Sequence, residues 1–119
     1  MLDKIRTKNI DFFEDLTQYS NYDFHNDYVC KEINYLDSEL ILSMKDANDA
    51  IVCISFEEVL VVKAYINVSE DLVIDNLYRG RFETNGYLID IFNDEYSYFY
   101  LDFYNGTKLE FWAKYLKIY

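Results

Sequence analysis

The sequence predicts a mainly β domain (β-rich α+β): an antiparallel sheet or sandwich with a C-terminal meander and one N-terminal helix. Three observations carry this expectation. Residues 96–104 alternate strictly, with Phe99, Leu101 and Phe103 on one face and Tyr96, Tyr98, Tyr100, Asp102 and Tyr104 on the other. Such a period of two marks a half-buried antiparallel strand. Asn-Gly occurs twice, at 85–86 and 105–106, and this pair is the strongest short hairpin signal because a type I′ turn needs positive φ at both central residues. Tyr (13) and Phe (9) bring the aromatic share to 19% with no Pro; aromatics suit strands, and no Pro-rich linker divides the chain. Its 119 residues therefore read as a single domain, 1–119.

Taken in order, Asn9 to Tyr19 is the helix candidate. Ile10, Phe13 and Leu16 recur at three-residue spacing, Asn9 can cap, and Asp11 sits where the helix dipole favours an anion. Ser20-Asn21-Tyr22-Asp23 is turn-prone and should stop it. A strand follows with Val29, Lys31, Ile33 and Tyr35 on one face, then a tight turn at Asp37-Ser38. Leu40, Leu42 and Met44 alternate with Glu39, Ile41 and Ser43 in a second strand. Asp46 to Asp49 form a loop.

The apolar run Ile51 to Phe56 is broken by Glu57-Glu58 and resumes from Val59 to Val68; its β-branched content favours strand. Residues 69–80 read as a short turn or helical piece entering a strand, with Ser69 able to cap and Gly80 able to terminate. Strands over 78–84 and 87–92 flank the first Asn-Gly. The second leads into a last strand in which Leu109, Phe111 and Ala113 oppose Trp112. After Tyr115 the apolar phase shifts to Leu116 and Ile118, which suggests a bulge. About seven or eight strands result, within ordinary sheet dimensions.

The net charge of −11 is unevenly placed: residues 1–8 and 105–119 each carry +2, and residues 9–104 carry −15. An acidic body repels nucleic-acid phosphates and attracts basic partners. Stacking on single strands needs aromatics among bases, and here the tyrosines lie among acids. Direct nucleic-acid binding is thus excluded from the expectation. The first 25 residues lack the apolar stretch of a signal peptide, and the longest aliphatic run, Val59 to Val62, is far too short to span a membrane. Cys30 and Cys53 make no disulfide framework and read as reduced core thiols in a cytoplasmic protein.

Few residues carry catalytic promise. His25 is the only histidine, so any triad or Cys-His device would have to use it. Asp23, His25 and Asp27 alternate and would project from one side of an extended chain. A metal set would need a fourth group from elsewhere, and a strand-capping role through backbone hydrogen bonds accounts for them better. The 46–50 loop fails the calcium-loop spacing, since Ala50 stands where a ligand is needed and the Gly and distal Glu are missing. The three glycines are isolated, so no phosphate loop exists. Glu57-Glu58 and Asp94-Glu95 are adjacent, and adjacent strand residues face opposite ways. The expectation is no enzyme, no cofactor and no metal. The candidate partner-binding residues are Tyr96, Tyr98, Tyr100, Asp102 and Tyr104, because rigid amphipathic tyrosines are enriched at interface centres.

Phe24-His25-Asn26-Asp27, then Val29 and Ile33-Asn34-Tyr35, then Leu40-Ile41-Leu42, then Ile54-Ser55-Phe56-Glu57-Glu58-Val59 resemble a group of small acidic β-rich bacterial domains. Several of these are immunity proteins of toxin systems. Asn26 stands where the acid usually follows His, and Asp27 lies one place later. The resemblance implies a non-enzymatic intracellular binding protein with an all-β or β-rich fold, and the acidic body adds the expectation of a basic protein partner such as a toxin domain. The rival expectations are a structural or homo-oligomeric binding module, a nucleic-acid mimic, and an enzyme centred on His25.

Overall fold

The computed structural model describes residues 4–9, 24, 26–67, 72–82, 84–91, 93 and 95–119. Eleven strands are present among them: β1 (Ile5–Arg6), β2 (Tyr28–Leu36), β3 (Glu39–Asp46), β4 (Ile51–Glu57), β5 (Leu60–Tyr65), β6 (Ile74–Arg79), β7 (Arg81–Phe82), β8 (Leu88–Ile89), β9 (Ser97–Phe103), β10 (Lys108–Ala113) and β11 (Tyr115–Ile118). The described residues contain no α-helix, only 3₁₀ turns at Thr7–Asn9 and Thr84–Gly86. The expected N-terminal helix falls on residues outside the described ones, apart from Asn9, which ends the first of these turns.

The strands form a sandwich. The first sheet runs β1-β11-β4-β3-β2, the second β5-β10-β9-β6, and β7-β8 make a small ribbon. Every pairing is antiparallel. The core is the interdigitation of the two inner faces. Leu40, Leu42 and Met44 of β3 and Ile54 and Phe56 of β4 meet Phe99, Leu101 and Phe103 of β9 and Leu109 and Phe111 of β10, all buried. Phe56 bridges the sheets, with its ring centroid 5.0 Å from Phe99 and 4.8 Å from Phe111. Phe99 and Phe111 stack at 5.5 Å on the opposite side. The apolar face expected of 96–104 is thus the centre of the molecule.

The turns follow their residue chemistry. Leu36 pairs with Glu39, and Asp37 and Ser38 between them both take positive φ, 52° and 63°; this two-residue loop has the backbone hand that suits twisted strands. Asn105-Gly106 does turn the chain, but as a three-residue loop, since the Phe103 N–H donates to Thr107 O at 2.9 Å. At 85–86 both residues have positive φ, and they sit inside a longer connection between Phe82 and Leu88.

Several expectations are corrected. The strand over 78–84 is broken at Gly80, whose φ of 122° is open to glycine alone. The C-terminal meander is not continuous. β8 and β9 share no ladder, and β9 pairs instead with β6 and β10. In β2 the register slips between Cys30 and Glu32, so Lys31 is a bulge. Cys30 and Ile33 therefore face the core, rather than Val29, Lys31, Ile33 and Tyr35 sharing a side. The phase change near Tyr115 is no bulge either. The chain bends at Lys114, leaves the second sheet and enters the first as β11.

The same crossing occurs between β4 and β5, at Glu58 (φ 55°) and the fully buried Val59. The N-terminus is tied beside it. Thr7 donates its N–H to Lys114 O at 2.9 Å and its hydroxyl to Ala113 O at 2.7 Å. Arg79 donates to Thr7 O at 3.0 Å and holds Asp90 through two bonds of 3.2 and 2.8 Å. This fork geometry satisfies a guanidinium that is almost buried.

Candidate functional site

The outer face of the second sheet carries the candidate residues. In an antiparallel ladder, residues directly opposite share a face. Register therefore writes this surface as three rungs across β5, β10, β9 and β6. The first is Leu60, Trp112 and Tyr98. The second is Lys63, Glu110, Tyr100 and Tyr78. The third is Tyr65, Lys108, Asp102 and Asn76. Of the five candidates, Tyr98, Tyr100 and Asp102 lie within β9, while Tyr96 and Tyr104 flank it.

Their exposure is uneven. Tyr98 is 3% exposed, because its ring stands edge-on to Trp112 at 5.2 Å. Its hydroxyl donates to Glu110 Oε1 at 2.9 Å. Tyr96 and Tyr100 are half-buried, and Tyr104 is 61% exposed. An alternating face of tyrosines is thus graded, from an anchored end at Tyr98 to an open end at Tyr104. Tyr96 donates its backbone N–H to Asn93 Oδ1 at 2.9 Å.

The hydroxyl protons point into the sheet's own carboxylates. Tyr100 donates to Asp102 Oδ2 at 3.0 Å, while Asn76 donates to Asp102 Oδ1 at 3.0 Å. Desolvation, then the Asp102 charge and its hydrogen bond, push the Tyr100 phenol well above its usual range. Tyr104 is raised too, by desolvation first and then by Asp75. Both phenols therefore stay neutral at physiological pH. Lys63 Nζ lies 4.0 Å from Glu110 Oε2, a long contact between an exposed ammonium and a largely buried carboxylate. The half-buried Tyr100 ring, with the carboxylates of Asp102 and Glu110 beside it, thus places negative charge next to an aromatic ring on this face. Acceptors beside aromatic rings suit ammonium and guanidinium groups.

Sequence reasoning missed Glu110, Trp112, Tyr78 and Lys63 as members of this face. The alternation of Lys108, Glu110 and Trp112 was legible, but its neighbourhood to Tyr98 and Tyr100 depends on register between distant strands.

The other candidates fall elsewhere. Asp23 and His25 lie outside the described residues. Asp27 is exposed and lines a cleft of about 470 Å³ together with Lys31, Lys45, Asp46 and Asp49. Asp46 and Asp49 are engaged locally. Asp46 Oδ1 accepts the N–H groups of Asn48 and Ala50 at 2.8 and 2.9 Å, and Asp49 pairs with Lys45 at 3.0 Å. Among the described residues no three metal-ligating side chains converge, and no helix is long and apolar enough to cross a membrane. Both cysteines are free. Cys30 is buried, and Cys53 is only half-buried, so the expectation of two core thiols holds for Cys30 alone. Comparison of the chain with protein-family models, with curated proteins and with solved structures returned no match.

Proposed function

We propose that this chain is a non-enzymatic binding protein of the immunity type, acting in the bacterial cytoplasm and neutralising a basic toxin domain through the outer face of its second sheet. The observation that carries the reading is the inward commitment of the Tyr98 and Tyr100 hydroxyls to Glu110 and Asp102. A surface of aromatic rings and carboxylates complements lysine and arginine, and the acid excess between residues 9 and 104 supplies a long-range field of the same sense. Tyr100, Asp102 and Tyr104 form the accessible part of the contact, and Tyr98 acts beneath them by holding Trp112 and Glu110 in place.

The test is capture of the partner from the producing cell, followed by assay of that partner's toxic activity with and without this protein. The expected outcome is stoichiometric loss of the activity, with protection abolished by Asp102→Lys. A partner that binds but keeps its full activity would defeat the immunity reading while leaving a binding role in place.

A further inference from the structure

We propose that β5 is a self-association edge, on which two copies of this chain pair antiparallel about a two-fold axis at Ala64. β5 is an outer strand of the second sheet, with β10 on one side, and all six of its residues are exposed. Leu60 (58%), Val62 (56%), Tyr65 (61%) and the following Ile66 (56%) make an apolar edge, interrupted only by Lys63, on an acidic chain. Singly scattered apolar residues are ordinary on a monomer, but a contiguous apolar strand edge is a template for another strand. The outer strand of the first sheet differs: β2 carries Lys31 and Glu32 at its bulge and bridges Leu72 through Cys30.

The backbone fixes which residues can pair. Phe103 N–H donates to Thr107 O, so the odd residues of β9 and β10 bond to each other. The Tyr98 carbonyl turns the other way and accepts from Gly80. By the alternation of the ladder, Lys108 and Glu110 bond to Tyr65 and Lys63, and Ala64 and Ile66 direct their N–H and C=O groups away from β10. Asn67 extends this line, held by its N–H donating to Thr107 Oγ1 at 3.0 Å and its side chain donating to Asn105 O at 2.7 Å.

A two-fold pairing must bring outward-directed residues opposite outward-directed residues, which restricts the registers to those centred on a residue. Centring on Lys63 would oppose two ammonium groups. Centring on Ala64 places the smallest side chain of the strand on the axis and brings Ile66 of each copy beside Val62 of the other, the extra residue of the bulge between Val61 and Lys63. It also sets Lys63 opposite Tyr65 of the second copy on the outer face. That pair brings the single charge of β5 over an aromatic ring, and it occurs twice by symmetry. Lys63 also supplies positive charge at the seam between two acidic bodies. The product is a continuous eight-stranded sheet, β6-β9-β10-β5 joined to its mirror sequence, within the usual range for sheets.

The experiment is sedimentation equilibrium of the full chain at rising concentration, with substitutions at two positions. The parent should approach twice the 14.4 kDa chain mass. Tyr65→Lys opposes Lys63 with a second ammonium and should raise the dissociation constant about tenfold, whereas Tyr65→Glu should lower it or leave it unchanged. Ala64→Pro removes an N–H that bonds nothing in β10 and should give a monomer with the parent's far-ultraviolet dichroism. A parent that stays monomeric to about 1 mM, the weak end of measurable association, overturns the proposal. So does a dimer on which Tyr65→Lys and Tyr65→Glu act alike. Should Ala64→Pro fail to fold, the opposed responses of the two Tyr65 variants decide alone.

Discussion

Lys114 donates its backbone N–H to the carbonyl of Glu57 at 3.1 Å, so the two places where the chain changes sheets lie against each other. Glu57 ends β4 before the crossing to β5, and Lys114 is the bend between β10 and β11. The side chains reinforce the contact. Lys114 Nζ is 3.1 Å from Glu95 and 3.8 Å from Glu58. The chain thereby passes from one layer to the other twice at a single seam, one residue beyond the fully buried Phe56.

The seam predicts a pH dependence. The hydrogen bond and charge of Lys114 hold Glu95 below its ordinary carboxylate value of 4.5. A depressed acid stabilises the fold above its unfolded value, and this contribution is lost as pH falls through the folded value. The same pairing raises Lys114 above 10.5, so its share is present below that pH and lost on further alkalinisation. Glu95→Gln should therefore lower the melting temperature at neutral pH, leave the most acid values nearly unchanged, and so flatten the fall below about pH 4.5. An acid limb as steep as the parent's would show that the pair is not felt.

The aromatic trio predicts a large core effect. Phe56→Ala removes the ring that touches both Phe99 and Phe111 and should cost about 3–5 kcal/mol in denaturant unfolding. A loss below about 1 kcal/mol, the range of surface substitutions, is incompatible with the packing described.

Cys30 and Cys53 should differ in reactivity. Burial pushes the Cys30 thiol from 9.0 up to about 11, more than its hydrogen bond to Glu32 O lowers it. The thiolate is the reactive form, so alkylation at pH 8 should modify half-buried Cys53 first and Cys30 only when the chain unfolds. The raised value also means that Cys30 favours the folded state below pH 9 and loses that preference as pH rises toward 11. Equal labelling rates for the two thiols in native buffer would contradict the burial of Cys30.

The binding face predicts a kinetic division of labour. Raising salt should slow association, because screening removes the field that steers a basic partner. Tyr104→Ala and Tyr100→Ala should instead speed dissociation and cost about 2 kcal/mol or more. Tyr98→Phe, which removes only the hydroxyl bonded to Glu110, should have a smaller effect on release. Surface-plasmon measurements against the captured partner separate these terms. Binding indifferent to salt and to all three substitutions would remove this face from the interface.

Local pattern was enough to determine the strands themselves. Alternation in 39–44 and 96–104 identified the buried faces of β3 and β9, since side chains of a strand alternate whatever it pairs with. Asp37-Ser38 and both Asn-Gly pairs marked turns, because positive φ is a property of single residues. The acid excess followed from counting. What tertiary structure alone decided is where each strand goes. Nothing in Glu58 or Lys114 announces that the chain crosses to the opposite layer there, and the phase change at 115 looks locally like a bulge. The bulge at Lys31 is likewise invisible until β3 supplies the register against which one residue is extra. The same holds for the candidate face. Tyr98 and Trp112 are fourteen positions apart, and their contact exists because β9 and β10 align Phe99 with Phe111. Long-range pairing is selected by the summed burial of both inner faces. It therefore determined which tyrosines became anchors and which stayed open to water.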